Sequence, residues 1–268
     1  MKEKHPEHPI FLLLIVAALR FEELRCKMIY IFFNIIVLFQ NQCISKLPAL
    51  GILSGELAYI DKAENIQCNY KYIEQLNLLH SVHTDNPVFG SAKASYCKQV
   101  EDASKFLTEE EGELMKQILE VLPEGDRLVH CDAHPKNIMI QNGEMLWIDM
   151  EGMSVGHPIY DLISIAVILN GMRTDEMTMG ICGMDNATVK LFKDCFIRKY
   201  FKTEDPEMIQ KMGGLLDGLR LIRAVFAIGF TTSGTEKYRP AIIEMARQHF
   251  FPNIQKIAGG IKFLVSSL

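Results

Sequence analysis

The sequence predicts an α+β fold, mostly helical, built behind one β-hairpin, and three observations carry that expectation. Apolar residues recur at helical spacing over residues 70–82 and 108–122. Two short apolar strands, 138–140 and 145–148, flank Asn142 and Gly143, a pair whose tolerance of positive φ marks a tight hairpin turn. After Asp161 the pattern is helical over 162–170, 187–201, 206–230 and 239–250, with glycine-rich or polar breaks between. At 268 residues, 49% of them hydrophobic, the chain is long enough for one large core or two lobes.

Taken in order, the first stretch is the least regular. Residues 10–19 (IFLLLIVAAL) form an apolar run, and after RFEELRCK comes a second, 28–39 (MIYIFFNIIVLF), rich in β-branched and aromatic residues. Neither approaches the roughly 20 apolar residues that span a bilayer. No small-x-small cleavage site follows Leu19, and residues 1–9 carry acidic as well as basic groups, so the runs read as a buried helix and a buried strand. Membrane attachment through 10–39 is the alternative. Further on, Thr108 with Glu111 three residues later has the form of a capping box opening the helix over 108–122.

Bulk composition narrows the function. A net charge of -5, with Lys and Arg scattered rather than striped, offers no field for nucleic acid. The seven cysteines are odd in number and contain no C-x-x-C pair, which points to reduced thiols in a cytoplasm rather than a disulfide framework or a zinc knuckle.

The chemistry gathers at the mouth of the hairpin, in VHCDAHPKNIMIQNGEMLWIDMEG, where His130, Asp132, Asn137 and Asp149 surround an apolar turn. A two-residue turn sets Asn137 opposite Ile148 and leaves Asp149 on the other face. A three-residue loop, 141–143 with Gly143 left-handed, pairs Ile140 with Glu144 and brings Asn137 and Asp149 diagonally onto one face, and this second register is the expected one. An amide oxygen and a carboxylate held a diagonal apart suit a hard, oxygen-loving cation such as Mg²⁺ better than zinc. Asp132, on the loop before the first strand, is placed to accept a proton from an incoming hydroxyl while a metal neutralises phosphate oxygens, and Lys136 adds positive charge nearby. His130 and His134 have the spacing of helical metal ligands, but Pro135 and the strand beginning at Ile138 argue against a helix, which leaves them as brace and loop anchor. Asp161 reads as an N-cap for a helix starting at Leu162. Cys131 reads as a packing residue, and Glu151 either assists the metal or lines the cleft.

Together, HCDAHPKN at 130–137, Ile148-Asp149-Met150-Glu151, and GHPIYDL at 156–162 resemble the catalytic core of the aminoglycoside phosphotransferase and choline kinase-like family, small-molecule relatives of the protein kinases. The resemblance implies a protein kinase-like carboxyl lobe at 70–268. Asp132 is then the catalytic base or hydroxyl-orienting group, Asn137 and Asp149 are the Mg²⁺ and nucleotide ligands, and His130 and Asp161 brace the loop. ATP or GTP would donate a phosphoryl group to a hydroxyl of an aminoglycoside, a sugar or an amino alcohol. Residues 1–69 depart from the family. They contain no G-x-G-x-x-G, with Gly51 and Gly55 the nearest approach and Lys27 the best available phosphate-gripping Lys, and so read as an atypical or truncated segment.

Three functions follow from different classes: a small-molecule kinase, a remnant or binding module that keeps only the carboxyl lobe, and a protein tethered through 10–39. The acceptor pocket falls among the helices after Leu162, where Asp185, Asp194, Asp217, Arg220 and Arg223 are the available charges, most of them expected on solvated faces.

Overall fold

The computed structural model describes residues 62–134, 137–141, 144–170, 174–182, 184–231 and 236–268. The readings of 10–19, 28–39, Lys27, Gly51, Gly55, Lys136, Asn142 and Gly143 lie outside the described residues.

Helix α1 (Lys62–His80) buries Tyr72, Ile73, Leu76, Leu79 and His80, the three- and four-residue steps of a single helical stripe. Strand β1 (Gly90–Ser91) runs directly into α2 (Ala92–Ser104), capped by Ser91, whose hydroxyl accepts the Ala94 N–H at 3.2 Å. Helix α3 (Glu109–Val121) opens on the expected capping box, with Glu111 N–H donating to Thr108 Oγ1 at 3.2 Å and Thr108 N–H donating to Glu111 Oε2 at 2.9 Å. It packs against α2 and leads to β2 (Arg127–Val129).

The hairpin is β3 (Ile138–Gln141) and β4 (Glu144–Trp147), followed by a 3-10 turn at Met150–Gly152 and by β5 (Ser154–Gly156). A second small sheet has β5 at its centre, parallel to β1 and antiparallel to β2. Close approach there demands a glycine, because a Cβ on Gly156 would lie 2.7 Å from that of Ala92.

The hairpin register differs from the expected one. Gln141 pairs with Glu144, Ile140 with Met145 and Ile138 with Trp147, which leaves a two-residue connection. Asn137 therefore stands opposite Ile148, whose N–H donates to the Asn137 carbonyl at 2.9 Å.

Behind the hairpin the helices are α4 (Ile159–Leu169), α5 (Asp175–Cys182), α6 (Asn186–Tyr200), α7 (Pro206–Phe226), α8 (Arg239–Met245), a π-helical turn at Ala246–Phe250, and α9 (Ile254–Ser267). Every residue of α4 except Val167 is buried, which requires helices around it, and it packs chiefly against α7. Asp161 is therefore not the N-cap: the helix begins two residues earlier, and the carboxylate lies inside its first turn. Among the described residues no helix is long and apolar enough to cross a membrane.

Candidate active site

The loop between β2 and β3 is held from beneath by one carboxylate. Asp161, fully buried at the start of α4, accepts the N–H of His130 at 3.0 Å on Oδ2 and that of Cys131 at 2.6 Å on Oδ1. Those bonds fix a tight bend in which Cys131 adopts a left-handed φ of 64°. His80, at the end of α1, donates from Nε2 to Asp161 Oδ2 at 2.8 Å. Its Nδ1 lies 3.0 Å from the Tyr200 hydroxyl, and burial raises the Tyr200 pKa, keeping that phenol a proton donor. Tyr72 adds a second tie from α1, its hydroxyl donating to the Ala133 carbonyl at 2.6 Å.

His130 crosses from the loop to the hairpin. It is buried, stacks near Trp147 with ring centroids 5.1 Å apart, and donates from Nε2 to the Ile148 carbonyl at 3.1 Å. This ring joins the loop, two positions before Asp132, to the residue before Asp149. Its placement is that of a brace.

Asp132 is the polar centre of the loop. Asn137 donates from its amide to the Asp132 carbonyl at 2.9 Å and to Oδ2 at 3.1 Å, while His134 Nε2 approaches Oδ2 at 3.5 Å. Arg223, from α7, reaches Oδ1 at 3.3 Å. Burial pushes the Asp132 carboxyl up, but the His134 hydrogen bond and charge, the Arg223 charge and the Asn137 amide outweigh it and hold the group below the usual carboxylate range. Cys131 goes the other way, pushed up to about 12 by burial first and the Asp161 charge second, which fits a packing thiol and not a nucleophile.

Asn137 and Asp149 stand on either side of the hairpin mouth. The Asn137 amide nitrogen is committed to Asp132, and among the described residues its Oδ1 has no hydrogen-bond partner. Asp149 follows the paired Ile148, takes a left-handed φ of 57°, and is exposed. Among the described residues no group of three or more His, Cys, Asp or Glu forms a metal cage. The oxygen donors at the mouth are an amide and a carboxylate, a set that suits a hard cation completing its shell with water and phosphate.

The loop thus assembles Asp132, Asn137, His130, His134 and Asp161, while Lys136 falls between described residues. Sequence reasoning missed His80 and Tyr200, which reach the site from 81 and 39 positions away from Asp161 and share no motif with it. Arg223, one of five charges named for the acceptor pocket, most of them expected on solvated faces, touches Asp132. Its sequence signal was the apolar stripe of α7, which buries Leu219, Ile222 and Phe226 around it.

Residues 53–179 match the model of the phosphotransferase enzyme family. The matched segment contains the whole loop, the hairpin and α4, so a family model bears out the resemblance carried by residues 130–162, and the described residues form the expected mostly helical α+β arrangement. No curated protein matches the chain. Among solved structures, the chain is similar to an ADP-bound aminoglycoside phosphotransferase, APH(2'')-Ib, with 19% identity, TM-score 0.42, and coverage of 76% of this chain and 67% of that one. It is also similar to a choline/ethanolamine kinase family protein from Mesorhizobium loti, with 12% identity, TM-score 0.43, and coverage of 79% and 70%.

Proposed function

We propose that the catalytic unit, residues 70–268, transfers the γ-phosphoryl group of ATP to a hydroxyl of a small molecule in a Mg²⁺-dependent reaction, in the cytoplasm where its thiols stay reduced. The observation that carries this reading is the Asn137 amide bonded to the Asp132 carboxylate at 3.1 Å, while the Asn137 main chain pairs with Ile148, the neighbour of Asp149. One polar cluster thereby serves both halves of a phosphoryl transfer.

In this reading Asp132 accepts a hydrogen bond from the acceptor hydroxyl and fixes its approach. Its lowered pKa makes it a weak base, which suits a loose transition state in which the nucleophile loses its proton late and orientation counts for more than early deprotonation. Asn137 Oδ1 and the Asp149 carboxylate would hold Mg²⁺, which when bound neutralises phosphate oxygens. Lys136 contributes positive charge to the phosphates. His130, His134 and Asp161 keep the loop in place, and the acceptor is the hydroxyl of an aminoglycoside, a sugar, an amino alcohol or a compound of similar size.

Calorimetric titration of the full chain with ATP and Mg²⁺ tests the reading. Binding is expected in the unmodified chain and is expected to disappear in Asp149→Ala. Asp132→Asn should keep nucleotide affinity and lower turnover by about 10² or more, because the lost contact acts in the transition state. A chain that binds no nucleotide would instead be a remnant of the family, a reading favoured by the lack of a G-x-G-x-x-G in residues 1–69.

A further inference from the structure

The two oxygens of Asp132 are not equivalent. Oδ2 is occupied by the Asn137 amide at 3.1 Å and by His134 at 3.5 Å. Among the described residues Oδ1 has only the long contact from Arg223 Nη2 at 3.3 Å, so it is the oxygen with capacity for an acceptor hydroxyl. A hydroxyl seated there lies beside a guanidinium.

Arg223 has much unused binding capacity. Its side chain is 24% exposed, and among the described residues it also faces the Phe230 ring, 5.9 Å from the guanidinium carbon to the centroid. A guanidinium offers five donors in a rigid fork suited to carboxylate or phosphate, and one held partly out of water gains most from an anion.

Three acids on the helices after Leu162 are engaged by neighbours of their own. Asp185 caps α6 through the Thr188 N–H at 2.6 Å, Asp194 binds Arg198 at 2.9 Å, and Asp217 binds Lys193 at 2.8 Å. Asp149 and Glu151 follow the hairpin, on the metal side of the proposed reaction. Among the described residues the charged side chain that contacts the acceptor oxygen is a guanidinium.

We propose that Arg223 selects the acceptor, and that the site takes a hydroxyl compound bearing a carboxylate or phosphate next to the reacting hydroxyl rather than a polycation. This rests on the phosphotransferase reading and narrows its substrate class. Arg223 lies where its guanidinium would pair with the anionic group while Asp132 Oδ1 receives the hydroxyl, so one residue pair measures both halves of the acceptor.

The test uses the full chain with ATP and Mg²⁺ and one three-carbon skeleton in four charge states: glycerol, glycerate, glycerol 3-phosphate and 3-amino-1,2-propanediol, with ADP release as the readout. One or both anionic compounds should exceed glycerol in kcat/KM by about tenfold or more, the scale of a charge-assisted hydrogen bond, and the ammonium compound should fall below it. Glycerate ahead of glycerol 3-phosphate identifies a carboxylate acceptor, and the reverse order a phosphate. Arg223→Gln should bring all four compounds close together, and Arg223→Lys should restore part of the anion preference. Equal or greater rates with glycerol or the ammonium compound, or an anion preference that survives Arg223→Gln, would overturn the proposal. Absence of turnover with all four points instead at the phosphotransferase reading. Calorimetry of glycerate and glycerol 3-phosphate without nucleotide then decides the anion site, since binding lost in Arg223→Gln supports it and no binding to the unmodified chain overturns it.

Discussion

Two residues in left-handed conformation bracket the loop and hairpin, Cys131 at the start of the loop and Asp149 just after the hairpin, and their surroundings are opposite. Cys131, with φ 64°, is partly buried, and its N–H is gripped by Asp161, itself fully buried and bonded to His80. Asp149, with φ 57°, is exposed, and its side chain makes no capping bond to the 3-10 turn that follows. The same backbone cost is thus met by a buried network on one side and left open to solvent on the other. In the proposed reaction the hydroxyl-orienting carboxylate is held rigidly, while the metal-binding carboxylate is free to adjust as phosphate and water complete the shell.

Breaking the braced side should have the largest effect. Asp161→Ala removes the acceptor for two backbone N–H groups and His80 in a site closed to water, which should cost about 3–5 kcal/mol in chemical denaturation, the range for removing one member of a buried ionic pair. A loss below about 1 kcal/mol would mean that the loop holds its bend without Asp161, and the contrast between the two ends would vanish.

A pH dependence sharpens the same contrast. His157, in the segment leading to Asp161, has its pKa lowered to about 4 by burial first and by the charges of Arg127 and His80. Its Nδ1 accepts the Ile159 N–H at 3.2 Å, a bond that protonation would abolish. The folded pKa lies below the ordinary histidine value of 6.5, so the unfolded chain takes up the proton first. Stability is full above about 6.5 and falls as pH drops from there toward about 4, by roughly 1–2 kcal/mol once solvent access to the partly buried ring is allowed for. Urea midpoints across that window would measure it. His157→Asn, whose side-chain oxygen can still accept the N–H two residues on, should flatten the dependence. An unchanged profile would remove His157 as its source.

Much of the loop was legible because its chemistry is local in sequence: Asp132, Asn137 and His134 lie within six positions and do meet. The helix at Glu109–Val121 was legible through its capping box. What escaped depends on distance or brevity. The sheet of β1, β5 and β2 uses strands of two and three residues, too short for alternation to show; the buried stripe of α2 is half alanine among polar residues, and that of α9 is interrupted by the helix-weakening pair Gly259 and Gly260. The hairpin register failed for a more instructive reason. Side-chain alternation was asked to carry Asn137 and Asp149 onto one face, which favoured a three-residue loop. The chain keeps the two-residue turn that Asn142 and Gly143 favour and leaves regular strand geometry at Asp149, where alternation no longer applies.

That left-handed residue supplies the smallest effect and the sharpest test of the open side. A non-glycine residue in this region costs about 1 kcal/mol, a strain glycine does not feel. Asp149 is exposed, so replacing it removes little packing. Asp149→Gly should therefore leave stability unchanged or raise it by less than about 1 kcal/mol, offset in part by the entropy glycine adds to the unfolded chain, while abolishing Mg²⁺-dependent nucleotide binding. The two readouts move in opposite directions only where a strained residue is retained for its carboxylate. If denaturation shows a clear loss of stability instead, Asp149 is a structural residue of the hairpin, and the division between a fixed base and an adaptable metal ligand fails at its weaker end.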